Sequence, residues 1–505
     1  MSTNKSIIKS AGIIGLATSL SRVLGLIRDI VIANFFGTAL YAQAFVVAFR
    51  IPNLLRDLVG EGATNAAFVP VFTEELTKNG KKEFFKLAQV IFNILFFTLL
   101  MLTVLGIFAS PLIVRLIAPG FLQDVEKFRV TVTLTRVLFP FLILVGLWAY
   151  AMGVLNTLGH FAAPAFGPCV LNVLMILCTM WFGENVFGLA AGVLAGGALQ
   201  LFIQFPPLYM KGWRPAITRD VNHPKAKKIG ILLLPRALGA CVYQVNVFIS
   251  TILASLSNIV GDGAVAALYY ANRVWQLPLA IFGIALAQAA LPAMSRQAAL
   301  NDMEKLKGTL LFSLRVVFFI LIPSSVGLMV LSAPITKMIF ERGAFGNYST
   351  DITSSALFFY ALGLVACGGI KILAGTFYSL KDTMTPVKVA AVSLVLNITL
   401  NLLLMNPLKA GGLALATSLS AVFNCILLYI FLRRKIGKLG LSGILDSLFK
   451  ITLAGLFMGL FCYIVRFKFN VIVTIVLGSS AYFLVCFVLG EREMKELLSW
   501  LLKRR

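Results

Sequence analysis

Long apolar runs, each of about 20 residues or more and parted by short polar stretches, dominate the chain. At 1.5 Å of rise per residue a helix of that length crosses the hydrocarbon core of a bilayer. About fourteen such runs can be placed, centred near residues 20, 50, 102, 143, 174, 198, 243, 277, 322, 366, 396, 422, 456 and 480. The pattern predicts an all-α polytopic membrane protein. Basic residues concentrate in the loops after even-numbered runs: Lys78, Lys81, Lys82 and Lys86, then Arg214, Lys225, Lys227 and Lys228, then Arg296, Lys305 and Lys307, then Arg433, Arg434 and Lys435. The bias of such residues to the inner side puts both termini in the cytoplasm.

The runs repeat. Ala48-Phe49-Arg50 recurs as Ala271-Asn272-Arg273, Pro111 as Pro334 and Gly120 as Gly343, all at an offset of 223. Gly153, Leu158 and Pro164 recur as Gly375, Leu380 and Pro386 at 222, and Gly188-Leu-Ala as Gly412-Leu-Ala at 224. Six runs lie between equivalent points. An even number keeps one orientation, so the repeat is parallel, about an axis along the membrane normal. The expected organisation is an N-terminal lobe over 1–218, a C-terminal lobe over 219–438, and two added helices over 439–505. Six helices in each lobe would face those of the other.

Charge enters the apolar pattern at two similar places. These are Ser21-Arg22-Val-Leu-Gly25-Leu-Ile-Arg28-Asp29 and Arg50-Ile-Pro52-Asn53-Leu-Leu-Arg56-Asp57. An arginine at the centre of a spanning helix costs roughly 2.5–3.5 kcal/mol. With a first run ending near Phe36 and a second starting near Leu40, Arg28 and Arg50 lie roughly 12 and 15 Å deep, and Arg22 and Arg56 roughly 21 and 24 Å. Each pair is six residues apart, about 120° around a straight helix, and Gly25 and Pro52 sit between the partners as candidate bends. Arg273 is the repeat equivalent of Arg50. Acidic residues at depth are few, chiefly Asp29, Asp57 and Glu61, so the interior carries an arginine surplus. Guanidinium groups fork onto phosphate oxygens, and the surplus therefore points to a phosphate or pyrophosphate. Two structural alternatives stand beside this one: Arg28–Asp29 and Arg56–Asp57 as interhelical ion pairs, and Arg22 and Arg56 reaching back to the cytoplasmic surface. Arg136, Arg236 and Arg315 lie near run ends, where anchoring competes with function; Lys371 fits either reading.

Composition narrows the class further. The chain has 505 residues, 59% hydrophobic and 13% charged, with a net charge of +24. Because the basic excess sits in short loops, it speaks for membrane topology and anionic lipids and not for nucleic acid. The seven cysteines all fall in apolar runs without a C-x-x-C pair, as expected of free buried thiols. Two loop histidines, His160 and His223, argue against a histidine-ligated metal. No nucleotide loop, H-E-x-x-H or G-x-S-x-G is present, and no enzyme activity is expected. Glu74-Glu75 is expected on a solvated helix, and Gly192-Val-Leu-Ala-Gly196 at a tight helix contact.

Together these stretches resemble the MurJ (MviN) family, the lipid II flippases of the multidrug/oligosaccharidyl-lipid/polysaccharide exporter superfamily. Besides the two arginine stretches, the likeness rests on Glu61-Gly62-Ala63 leading to Phe68-Val-Pro70, on Ala118-Pro119-Gly120-Phe121 and on Tyr269-Tyr270-Ala271-Asn272-Arg273. It continues through Phe340-Glu341-Arg342-Gly343 and Phe377-Tyr378-Ser379 with Asp382 and Thr385-Pro386. The resemblance implies fourteen helices in two lobes that alternate between inward- and outward-facing forms. They would move the undecaprenyl-pyrophosphate-linked peptidoglycan precursor from the cytoplasmic to the periplasmic leaflet of the bacterial inner membrane. It assigns the central arginines to Arg22, Arg28, Arg56 and Arg273, with Arg50, Asp29, Ser21, Asn53 and Glu61 as further candidates in the matching stretches. The last two helices would hold the lipid tail. No cofactor or metal is expected; an ion gradient or the membrane potential would supply the drive, and the cell-wall synthesis machinery is a further expected partner. Gln43, Asn272 and Gln276 stand where some members carry carboxylates, and the seventh run offers Asn246 but no aspartate for a sodium site. Flippases for other prenyl-pyrophosphate glycans, of the O-antigen or capsule type, share the same chemistry. A cation-coupled drug exporter does not fit the arginine surplus.

Overall fold

The computed structural model describes residues 3–56, 68–214, 216, 223–437 and 442–495, which are almost wholly helical and contain no strand. In chain order the helices are α1 (Thr3–Phe36), α2 (Leu40–Arg56), α3 (Val69–Ile117), α4 (Val125–Leu138), α5 (Phe141–Thr157), α6 (Ala162–Phe182), α7 (Val186–Phe202), α8 (Phe205–Met210) and α9 (Pro224–Ala254). They continue as α10 (Ser257–Val260), α11 (Ala264–Pro278), α12 (Ala285–Ala299), α13 (Met303–Val330), α14 (Ser332–Phe340), α15 (Asn347–Leu362), α16 (Leu364–Ser379), α17 (Met384–Ile436), α18 (Ser442–Val465) and α19 (Val471–Val488). The chain divides into two compact units. One comprises Met1–Leu256 with Arg342–Phe345, the other Ser257–Glu341 with Gly346–Arg505.

In the first unit, α1 and α2 end and start at the residues the apolar pattern indicated. They are joined at Gly37, whose φ of +54° suits a residue without Cβ. The G-x-x-x-G stretch works as expected: Cβ atoms on Gly192 and Gly196 would lie 3.0 Å from the Cα atoms of Met175 and Leu171, so α7 lies directly on the backbone of α6. α3 kinks at Gly80 (φ +78°). Before this bend Phe68 and Phe72 pack on buried Tyr150, whose hydroxyl donates to Ala88 O at 2.6 Å, and Phe84 after it packs edge-on against Phe72. α4 gives way to α5 at Pro140, which has no N–H to continue the ladder. Gly120 and Gly343, equivalent by the repeat, share a physical role. A Cβ on Gly120 would lie 2.0 Å from Ser255 O, and one on Gly343 2.3 Å from Asn34 O.

In the second unit, α11 passes through a π-helical turn (Leu279–Ile284) after Pro278 and continues as α12. α15 and α16 meet at 44° around Gly363. There Ser418 Oγ donates to Phe359 O at 2.7 Å, satisfying a carbonyl that lies at the helix break. Gly363 is 223 residues after Pro140, so both units break the same span at the same place. α17 carries the two expected runs centred near 396 and 422, separated at Lys409 (φ 52°). α18 and α19 pack together and against α13, where Tyr482 Oη donates to Phe319 O at 2.7 Å.

Among the described residues nine helical stretches are long and apolar enough to span a membrane, or ten if the bent pair α15–α16 is one span. The expected fourteen exceed this because α17 holds two runs in one helix and because α1, α2 and α9 fall outside that count. α2, for example, has only 17 residues. The repeat is visible in hydrogen bonds. Leu158, Gly159 and His160 donate to Val154, Asn156 and Leu155; Leu380, Lys381 and Asp382 donate to Thr376, Tyr378 and Phe377, each at an offset of 222.

Candidate functional site

Arg28 is 6% exposed and Asp29 fully buried. Arg28 Nε and Nη2 donate to Asp29 Oδ1 at 3.0 and 2.7 Å, and Nη1 donates to Asn172 Oδ1 at 2.9 Å. Asn172 Nδ2 in turn donates to the carbonyl of Ser21 at 3.2 Å. The pair therefore sits in the α1–α6 contact, in the ion-paired arrangement that adjacent opposite charges allow. α1 runs through Gly25 without a break; a Cβ there would approach nothing nearer than Asn172 Nδ2 at 3.9 Å. On an unbroken helix the six-residue spacing separates the two arginines, and Arg22 is exposed where Arg28 is buried. No carboxylate among the described residues lies within ion-pair distance of Arg22. Sequence reasoning missed Asn172. Its signal was an amide inside an apolar run, which needs a partner in that setting.

On α2, Pro52 is buried within a continuous helix, and Arg50 and Asn53 are half-buried. Gln43 is buried. The helix reaches Arg56, whose side chain, like Asp57 and Glu61, lies outside the described residues. In the second unit, Arg273 on α11 is half-buried. Its guanidinium carbon lies 4.9 Å from the Tyr269 ring centroid and its Nη2 donates to Tyr269 Oη at 3.0 Å. A tyrosine one turn away thus holds the charge against a π face, which the bare spacing Tyr269…Arg273 permits but does not announce. Asn272 and Gln276 are half-buried beside it. Of the other basic candidates, Arg136 and Lys371 are exposed, Arg236 has no described side chain, and Arg315 pairs with Glu493 at 2.9 Å.

The same unit holds an apolar cavity of about 380 Å³ between α13, α18, α19 and the turn after α11, lined by Phe319, Pro323, Met458, Cys462, Ser479 and Tyr482 among others. That volume lies in the range of small-molecule and lipid-segment sites.

Glu75 departs from the solvated helix expected of it. It is buried, accepts from Asn79 Nδ2 at 2.8 Å and pairs with Lys225, while neighbouring Glu74 pairs with Lys78 and Lys228. Glu75, Glu83 and His223 bring ligand atoms within 4.8 Å of one another. The Lys225 ammonium already neutralises Glu75 there, and His223 Nδ1 is spent on the N–H of Lys225 at the start of α9. Six of the cysteines are free thiols, and Cys241 has no described side chain.

Three comparisons bear on this architecture. The sequence model of a family described as "Lipid II flippase MurJ" matches residues 32–481. The "Lipid II flippase MurJ" of Burkholderia cenocepacia is 36% identical over 426 residues, 83% of this chain and 82% of that protein. The "Probable lipid II flippase MurJ" of Bdellovibrio bacteriovorus is 31% identical over 509 residues, 98% of this chain and 97% of its own. A solved structure titled "Lipid II flippase MurJ, inward closed conformation" superposes with a TM-score of 0.82 at 27% identity, over 96% of this chain and 99% of that one. An inward-facing MATE transporter of the MOP superfamily superposes with a TM-score of 0.66 at 14% identity, over 84% of this chain and 96% of its own, a likeness of fold.

Proposed function

The chain belongs to the lipid II flippase MurJ family, and on that premise we propose that it carries the undecaprenyl-pyrophosphate-linked peptidoglycan precursor from the cytoplasmic to the outer leaflet of the bacterial inner membrane. It is a multi-pass membrane protein and works as a transporter, not as a catalyst of covalent change. Both termini face the cytoplasm in this reading, as the basic loops require.

The pyrophosphate is gripped by guanidinium groups. Arg22, Arg50, Arg56 and Arg273 are its contacts, and Arg28, tied down by Asp29 and Asn172, adds fixed positive charge behind them. The observation that carries this reading is Arg22. It is exposed on α1 roughly 21 Å from the Phe36 end, at a depth where an unpaired cation is costly unless it meets water or an anion. Tyr269 holds Arg273 in a preset direction, so less side-chain freedom is lost when an anion arrives. The prenyl tail occupies the apolar cavity between α13, α18 and α19, whose lining offers almost nothing for a head group to bond. The transport cycle is alternating access, in which the binding groups face the two sides of the membrane in turn. The drive is an ion gradient or the membrane potential, worth about 2.3 kcal/mol per charge per 100 mV. Anionic lipids lie against the basic loops, and the cell-wall synthesis machinery receives the product.

The test is translocation of fluorescent precursor in proteoliposomes carrying Arg22→Ala or Arg273→Ala. Loss of transport in both, with binding of the tail alone retained, is the expected result. Undiminished transport in both would remove the arginine grip.

A further inference from the structure

At the far end of α19 the chain turns back at Gly490 and buries two carboxyl groups. Glu491 is 1% and Glu493 6% exposed. Both converge on Ser447 of α18. Its hydroxyl donates to Glu491 Oε1 and lies 3.3 Å from Glu493 Oε2. The other oxygen of Glu493 is 2.9 Å from Arg315 Nε on α13. Three elements adjacent in space but distant in sequence thus meet in one polar knot on the rim of the apolar helix interface. Among the described residues one guanidinium, that of Arg315, is paired with the two carboxyls. On α18, Lys450 is paired with Asp446 at 2.7 Å, and its charge draws the Glu491 carboxyl down only slightly against the effect of burial. On the last segment, Arg492 and Lys495 are exposed. On α19, Tyr482 and Cys486 face inward and are neutral. Two carboxyls against one guanidinium leave an excess negative charge in a buried place, unless one proton is retained between them.

We propose that Glu491 and Glu493 form a proton-operated fastening that holds α18 and the end of α19 against α13. With one proton held the knot is neutral and closed. Without it, repulsion between the carboxylates and the cost of burying the surplus charge loosen the contact. Burial, together with the neighbouring Glu493, pushes the Glu491 carboxyl up to about 7, against an ordinary value of 4.5. The native fold therefore holds more protons than the unfolded chain between those values. The fastening weakens as pH rises through that window and is weakest above it. The same three helices line the apolar cavity, so opening the knot would widen the cavity; that consequence alone rests on reading the cavity as the tail site.

The test needs no transport and no lipid substrate, so it can fail independently of the flippase reading. Hydrogen exchange across α19 is measured on the full-length protein in nanodiscs at about pH 5.5 and about pH 8, after correction for intrinsic exchange rates. Wild type is expected to exchange several-fold faster at the higher pH. Glu491→Gln, which mimics the protonated acid, is expected to remain slow at both. Glu493→Gln, which leaves Glu491 as the one carboxylate on Ser447, should also lose the pH response. A pH-independent wild type, or a Glu491→Gln variant that follows wild type, would overturn the proposal. Should either variant fail to fold, infrared spectra of wild type decide: a buried protonated-carboxyl band that disappears near neutral pH supports the fastening, and its absence rejects it.

Discussion

Two arginines six residues apart on one helix have opposite structural fates, and their substitutions should separate. Arg28→Ala takes two hydrogen bonds from buried Asp29 and one from Asn172. A loss of about 3–5 kcal/mol is expected, read as a large drop in thermal unfolding temperature in detergent. Arg22→Ala removes an exposed side chain with no ion-pair partner among the described residues. Unfolding temperature should stay within error while translocation falls. Tyr269→Ala should leave folding close to wild type but weaken transport less than Arg273→Ala does, because it removes the support and not the charge. Sequence alone named these arginines and their depth, since charge inside an apolar run is conspicuous. It could not tell which would be neutralised. Arg28 and Asp29 are adjacent, but so are Arg56 and Asp57. The deciding partner, Asn172, lies 144 residues away and becomes visible only when α6 is laid against α1.

Helices were legible as far as their apolar length allowed. The end of α1 at Phe36 and the start of α2 at Leu40 follow from the pattern, because Gly37 interrupts both hydropathy and helical geometry. The breaks inside spans were less visible. The run centred near residue 143 passes over Pro140, and Gly363 looks like any membrane glycine until its Cβ position is seen to fall 2.7 Å from Ser418 Oγ and 2.8 Å from Ser418 Cα. Gly363→Ala should therefore cost about 1–3 kcal/mol by overpacking, measured by urea or thermal unfolding of the purified protein. Gly25→Ala makes the opposite prediction. With no atom nearer than 3.9 Å, the new methyl is tolerated, and helix propensity favours it by about 1 kcal/mol. α1 runs through Gly25 without a break.

At the scale of the whole chain, the repeat read from the sequence recurs in the hydrogen bonds of the turns after Val154 and Thr376, at the same offset of 222. Span counting was weaker, because charge inside α1 and the 17-residue length of α2 make them poor apolar spans. Loop electrostatics adds a whole-molecule prediction. Asp382, hydrogen-bonded by Lys435 and by the N–H of Thr385, has its carboxyl pulled down to about 2. Its folded value is depressed, so its contribution is complete above about pH 4 and is lost as pH falls through 2. Because Lys435 is 41% exposed, the effect is modest: Asp382→Asn should cost about 1 kcal/mol at neutral pH and nothing in strong acid, as pH-resolved unfolding would show. The neighbouring residue Lys381 holds a left-handed backbone (φ 59°) that its counterpart Gly159 (φ 74°) adopts at no cost, inside the same ring of hydrogen bonds. The two halves share this bend, and only one of them carries the residue best suited to it. Giving the second bend the glycine of the first, Lys381→Gly, should therefore make the fold sturdier.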